Sequence, residues 1–549
     1  MNDLKKSKKI ILITLMIIIV IAITVGIIIY NMQKKDTISS NTSPIQKAEM
    51  NPNNYTVVTS KDGIQVPVPK GYTASSVESE SYVNGITETL YLTKDLTETF
   101  TSEGEYPWAK NSSGIWTSGN YNIDSSVSEM TSEEFTVGEN GGILKLNWTA
   151  SSQIYNDYLY GEIINTSDNS IKETTIKLNG TYYGTSESSI TYMETKVELE
   201  KGTYKIQIKY NKNASTNSGL DKGYVKKVEV FDRNNNGSTT TLENHKYGGF
   251  VIYEGTEGVT EENQWDMQIS RNQWVWIPIA NVSDMYWQDT NTKKLYGTYY
   301  SFNISSYTKG SNRKYEPQTT SYDKQSTYLI QYLNGISREE FLTEMEQEFS
   351  KMLKSVATYG GFYVGRYETG DLKQTVPVVK RMNTDIGSQT WYTMYKKIKR
   401  MVGQNTNVAT SMIWGAQHEQ VLKWLIDTGD KTTLDINKGS VAWGNYADNT
   451  FTYYTNASKS IGTKNLGSGT RIPSGAYEGT NANNIYDLAG NVLDWTLESN
   501  SSGAGYYRYY RGGDFGDSVG RYSIASSRDY DYPYSSDFYI GFRATLYIK

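Results

Sequence analysis

The residues of this 549-residue chain best suited to holding a ligand lie in one stretch near the C-terminus, 506–539. It reads YYRYYRGGDFGDSVGRYSIASSRDYDYPYSSDFY. Tyrosine offers wide, rigid contact area at low entropy cost, and Ser, Gly and Asp add adaptable polar contacts. The candidate binding residues in its first half are Tyr506, Tyr507, Tyr509, Asp514, Phe515, Asp517 and Tyr522. Those in its second half are Asp529, Tyr530, Tyr532, Tyr534, Asp537 and Tyr539. A plainer origin competes with recognition: tyrosine is as frequent as glycine across the chain, 47 of each, so any loop would be aromatic.

Other chemistry is limited by composition. With no cysteine, disulfides, thiolate catalysis and cysteine-held metals are all excluded. Two histidines, His245 and His418, cannot build a three-histidine metal site within one chain. His418, in AQHEQ on a predicted helix, is expected at the surface or in a hydrogen bond rather than in catalysis. A formal charge of −5 without a basic block beyond the N-terminus argues against a nucleic-acid partner. The scattered acidic residues show no pairing that supports a hydrolase.

Four motifs follow one another around the candidate stretch. They are NNIYDLAGNVLDWT (483–496), Arg511-Gly512-Gly513, the arginines Arg521 and Arg528, and Ile540-Gly541-Phe542-Arg543. Upstream stand QWVWIPI, from Gln273, and GGFYVGRYETG, from Gly360. Gly490 before Asn491 predicts a tight turn without a Cβ, and Trp495 is large enough to anchor loops. Arg511 and Arg543 can bridge carbonyls or carboxylates through their planar forks.

In this order the motifs resemble the formylglycine-generating enzyme, or sulfatase-modifying factor, family over roughly residues 273–549. The resemblance implies a C-type-lectin-like fold rich in irregular structure. It also implies a calcium ion at the GNV-x-E/D-W turn, where the matching oxygen donors are Asn491 and Asp494. A hydrogen-bonded turn without metal is the competing reading, because Asp494 is one methylene shorter than the usual glutamate. The family's oxidase chemistry uses copper and two cysteines after RGG; those positions fall at Asp517 and Tyr522. Neither can replace a soft thiolate, so no copper is expected. The family's RLPTEAEWE helix is replaced by SMIWGAQHEQVLKWL. The 506–539 stretch also resembles the variable region of lectin-fold proteins diversified by retroelements.

The rest of the chain must position this head. Residues 10–30 form an apolar run long enough, at about 1.5 Å per residue, to span a bilayer core of about 30 Å. Lys5, Lys6, Lys8 and Lys9 precede it, so the positive-inside tendency leaves the N-terminus in the cytoplasm and the remainder outside. No A-x-A site follows, which favours an uncleaved anchor over a signal peptide. Residues 35–104, rich in Ser, Thr, Asn and Glu, read as a spacer.

Residues 105–235 alternate with period 2 at 143–151, 158–164, 195–202, 203–212 and 225–232, predicting an antiparallel β-sandwich. It resembles jelly-roll modules that either space domains or bind sugars. In the head (246–549), strands are expected at 273–280 and 361–368. Ser337-x-x-Glu340 predicts a capping box, with Ile336 and Phe341 as a hydrophobic staple. Phe341, Met345, Phe349, Met352, Leu353 and Val356 trace the buried face of the helix that follows. A second helix is expected over 413–427, ended by Gly429.

The fold class is thus α+β: a transmembrane helix (1–34 with its cytoplasmic tip), a spacer, a β-sandwich and a C-type-lectin-like head. The functional expectation is a membrane-anchored bacterial surface protein whose head binds an extracellular protein or glycan. The alternatives are a divergent sulfatase-modifying enzyme and a structural envelope component.

Overall fold

Alternation governs the sandwich. In Gly202–Asn211, Tyr204, Ile206, Ile208 and Tyr210 are buried and the residues between them are not. The computed structural model describes residues 45–549 except 154–155, 167–169, 180–185, 215–216, 304, 314–336, 438–439, 466, 500–506 and 518–523. The 10–30 run, Tyr506, Arg521, Tyr522 and the staple residue Ile336 lie outside the described residues. Among the described residues, no helix is long and apolar enough to cross a membrane. Met1–Lys47 is one unit and Ala48–Lys549 a second, and the account below concerns the second.

The chain is mostly β-sheet with few helices. Each of the five predicted sandwich strands is present: Gly142–Ser151, Tyr158–Asn165, Met193–Leu199, Gly202–Asn211 and Lys222–Asp232. They divide between two antiparallel sheets. A common core that includes Leu144, Leu146, Trp148, Leu159, Ile163, Ile206, Ile208 and Val228 joins the sheets. Burying each such side chain contributes about 1.5–3 kcal/mol.

The expected spacer is not one. Ile86–Asp95 pairs with Lys222–Asp232 and with Thr241–Tyr247, which carries the sandwich beyond 105–235 in both directions. Tyr72–Ala74 pairs instead with Val251–Glu254, at the edge of the head's own sheet. That six-stranded sheet runs Val408–Met412, Ala544–Ile548, Gly361–Gly365, Gln273–Pro278, Val251–Glu254, Tyr72–Ala74. The head's sheet is therefore begun before the sandwich and resumed after it, so the sandwich is an insertion in the head.

The predicted helices form. Arg338–Tyr359 starts at a complete capping box, with Glu340 N–H donating to Ser337 Oγ (3.2 Å) and Ser337 N–H to the Glu340 carboxylate (2.6 Å). Its six predicted core residues are all buried, and it stops at Gly360, whose φ of 82° suits a residue without Cβ. Gly415–Asp427 is the second helix. His418 on it does not reach the surface. It is fully buried, neither ring nitrogen has a hydrogen-bond partner among the described residues, and burial beside Arg511 and Arg543 keeps it neutral.

Candidate functional site

The aromatic stretch is presented by a four-stranded sheet ordered Arg528–Asp531, Arg508–Arg511, Leu493–Ser499, Ile540–Phe542. Leu493–Ser499 is buried along its whole length and fixes the sheet to the interior. Arg508–Arg511 pairs antiparallel with Arg528–Asp531, placing Tyr509 opposite Tyr530 and Tyr510 opposite Asp529. The edge position of Arg528–Asp531 leaves Tyr530 43% exposed.

Around that edge the rings form one group. Tyr507 lies 4.9 Å from Tyr530 and 4.6 Å from Tyr532, and its hydroxyl is 3.0 Å from that of Tyr532. Tyr534 stacks on Tyr532 at 5.0 Å. A second group consists of Phe515 stacked on Tyr539 at 4.9 Å, with Phe538 4.0 Å from Tyr539 and 48% exposed. Asp529 and Asp531 accept the backbone N–H of Tyr530 (2.9 Å) and Tyr532 (2.6 Å), and exposed Asp537 that of Tyr539 (3.1 Å). These local bonds fix the tyrosine backbone in place.

Three predicted binding residues are supports instead. Tyr509 is buried under the Arg528 guanidinium, 3.4 Å from its ring centre, and Arg528 is in turn held by Glu498. Phe515 is buried beneath Phe538 and Tyr539. Asp514 is buried in a turn with Asp517, accepting Gly516 N–H at 2.6 Å, while Asp517 accepts Asp514 N–H at 3.0 Å. Burial, then the neighbouring Asp517, pushes the Asp514 carboxyl up to about 7. Phe538 and Arg528 were not among the predicted site residues. Phe538 was hidden by its tyrosine-rich context, and only the strand pairing puts Arg528 on Tyr509.

The motif arginines are staples. Arg543 donates to the carbonyls of Gly365 (3.1 Å), Tyr486 (2.8 Å) and Asp487 (3.0 Å) and to Asp494 (3.1 Å). Arg511 binds Glu419 at 2.7 Å. A Cβ on Gly490 would meet Asn445 O at 2.1 Å, so the predicted glycine turn is obligatory. Trp495 is fully buried against Tyr510.

Asn491 and Asp494 do not suit calcium as arranged. Asn491 Oδ1 already accepts from Asn445 Nδ2 (2.9 Å) and Ile472 N–H (3.0 Å), and its Nδ2 donates to Glu368 (2.6 Å). Both its lone pairs are therefore committed, whereas calcium needs six or more free oxygens. Asp494 is engaged by Arg543; burial lifts its carboxyl to about 6 despite that cation. Among the described residues no cluster of three acidic or histidine side chains could hold a metal. Hydrogen bonds of the turn account for Asn491, while Asp494 Oδ1 is buried without a partner among the described residues.

Several solved structures resemble parts of the chain weakly. The K1 cleaved adhesin domain of Lys-gingipain from Porphyromonas gingivalis W83 is 13% identical, over 27% of this chain and 98% of that one, at a TM-score of 0.19. The C-terminal CBM6 of LamC, a marine laminarinase from Zobellia galactanivorans, is 13% identical over 26% and 98%, at 0.18. CBM35 from Cellvibrio japonicus Abf62 is 13% identical over 26% and 91%, at 0.15. No fold assignment follows at such scores. Comparison with curated proteins finds no match. A family model does match the region that holds the four motifs and the tyrosine strands. Residues 427–547 match the model of the sulfatase-modifying factor enzyme 1-like domain, and the chain has no cysteine.

Proposed function

We propose that this chain is a membrane-anchored bacterial surface protein whose C-type-lectin-like head recognises an extracellular protein or glycan through its C-terminal tyrosine face. One observation carries the reading. Tyr507, Tyr530, Tyr532 and Tyr534 form a contiguous ring cluster around an edge strand, with buried Tyr509 and half-buried Arg528 beside it. A rigid aromatic cluster on a fixed support is what a recognition surface needs, because little side-chain entropy is lost on binding.

The apolar run and its preceding lysines support anchorage, with the head outside the cell. The same position in the chain suits diversification by a retroelement, since substitutions at Tyr530, Tyr532 and Tyr534 would leave the buried motifs untouched. Thiolate oxidation has no residue to perform it, because neither Asp517 nor Tyr522 can ligate copper as cysteine does.

The test uses the full chain in detergent on glycan and surface-protein arrays, beside a variant with alanine at Tyr530, Tyr532 and Tyr534. Specific binding lost in the folded variant is the expected result. A folded wild-type chain that binds nothing on broad arrays, or a variant that binds as well, would reject the tyrosine face.

A further inference from the structure

The tyrosine face carries charge as well as rings, and the charge narrows what can dock there. Three aspartates hold their carboxylates against the backbone of ring residues: Asp529 at Tyr530 N–H (2.9 Å), Asp531 at Tyr532 N–H (2.6 Å) and Asp537 at Tyr539 N–H (3.1 Å). None of the three joins an ion pair among the described residues. The arginines beside them are committed elsewhere. Arg528 is held by Glu498 and lies on the Tyr509 ring, and Arg471 donates to the carbonyl of Phe538 at 3.0 Å.

The buried turn next to these residues has the same sign. Burial, followed by Asp517 and Asp537, raises the Asp514 carboxyl, and burial, with Asp529 adding to it, raises that of Asp517. The hydrogen bonds that oppose these rises come from backbone N–H groups and not from a cation. Carboxylates that repel one another in this way favour a cationic ligand over a neutral one, because only a cation relieves the repulsion. A neutral sugar stacked on the rings would leave it in place.

Spacing sets the form of that cation. Asp529 and Asp531 are alternate residues of the edge strand Arg528–Asp531, so they stand on one side of it about 7 Å apart. An extended peptide repeats its own side chains at the same interval, so basic residues at alternate positions match the pair. The N–H groups of Tyr530 and Tyr532 are already taken by the aspartates, so such a peptide is held by side chains rather than by strand addition through those donors. Arginine suits each position, because its fork can donate twice to a carboxylate while its plane stacks on a tyrosine ring. We propose that the tyrosine face binds an extended segment of a protein partner with arginines at alternate positions, an inference that rests on the recognition function proposed above.

Fluorescence anisotropy with the full chain in detergent tests this, using a labelled peptide of alternating serine and arginine. Its control replaces each arginine with citrulline, which keeps the length and the hydrogen-bonding head but removes the charge. The arginine peptide should bind saturably, roughly tenfold tighter than the control, and more weakly as salt is raised. Asp529→Asn combined with Asp531→Asn leaves an oxygen for each backbone N–H, so the unfolding temperature should hold while peptide affinity falls roughly tenfold or more. Equal binding of the two peptides, or unaltered affinity in the folded double variant, would overturn the proposal. If the arrays yield a ligand that needs Tyr530, Tyr532 and Tyr534 while the arginine peptide stays unbound, this proposal fails and the recognition face stands. If neither binds, both fail.

Discussion

The sandwich and the head are held together in different ways although one is inserted in the other. The sandwich interior is dominated by one large apolar cluster running from Leu96 to Val230, with one fully buried ion pair among its described residues, Lys212 with Asp221. The head buries charge: Arg366 with Glu80, Arg511 with Glu419, and Arg543 with Asp494 have side chains at most 4% exposed. Apolar burial tolerates small shifts of geometry, whereas a buried ion pair stabilises only when its remaining polar atoms are satisfied. Arg543 meets that demand with three carbonyls, and Glu80 with Tyr253, Gln264 and Gln268. An apolar interior makes a robust module. A polar one fixes loops that have no regular structure of their own.

Substitutions should separate the two. Glu80→Ala leaves Arg366 charged and buried, so denaturant unfolding should show a loss of about 3–5 kcal/mol. Burial alone would raise the Glu80 carboxyl, but Arg366 and the hydrogen bonds outweigh it, so Glu80 is charged in the native state. A loss below about 1 kcal/mol would mean that the ion pair does not hold the head's first segment. In the sandwich, Ile208→Ala should cost about 2–5 kcal/mol by opening a cavity, and the same unfolding curves give the comparison.

A pH series should show the next effect, on the order of 2 kcal/mol. Asp514 titrates at about 7 in the native state against an ordinary 3.8. Between about pH 4 and 7 the native state keeps a proton that the unfolded chain has released. This group's contribution is therefore most favourable below pH 4 and declines as pH rises to 7. Asp494, raised to about 6, acts in the same direction. Asp514→Asn should flatten the upper part of the curve, and an unchanged slope would exclude Asp514 as its source.

Ser337→Ala removes a helix cap and should lower stability by about 1 kcal/mol, read from the thermal midpoint. Tyr530→Ala should move stability by no more than about 0.5 kcal/mol, because the ring is exposed, while weakening array binding. A large stability loss there would make the ring cluster part of the fold rather than a recognition surface.

Legibility followed the same division. Period-2 alternation located all five predicted sandwich strands, because each buries one face against a partner sheet. The Ser337 box and the Gly360 stop bounded a helix whose buried face was readable at helical spacing. The family motifs identified the staples and the glycine turn. Tyr72–Ala74 was not readable, being three residues long and paired with a strand across the whole sandwich. Glu80 was equally hidden, since its partner Arg366 lies 286 residues away. Among the tyrosines, type alone could not tell exposed Tyr530 from buried Tyr509, which face each other across one strand pair.

By itself the sequence determined which segments alternate, where helices start and stop, that cysteine chemistry is absent and that an apolar run lies near the N-terminus. These are properties of neighbouring residues, fixed by local geometry and side-chain type. Tertiary structure alone decided that the sandwich is an insertion, that Asn491 is saturated by hydrogen bonds and that Arg366 meets Glu80. Each depends on groups brought together by chain closure over hundreds of residues, and nothing local to either partner records the meeting.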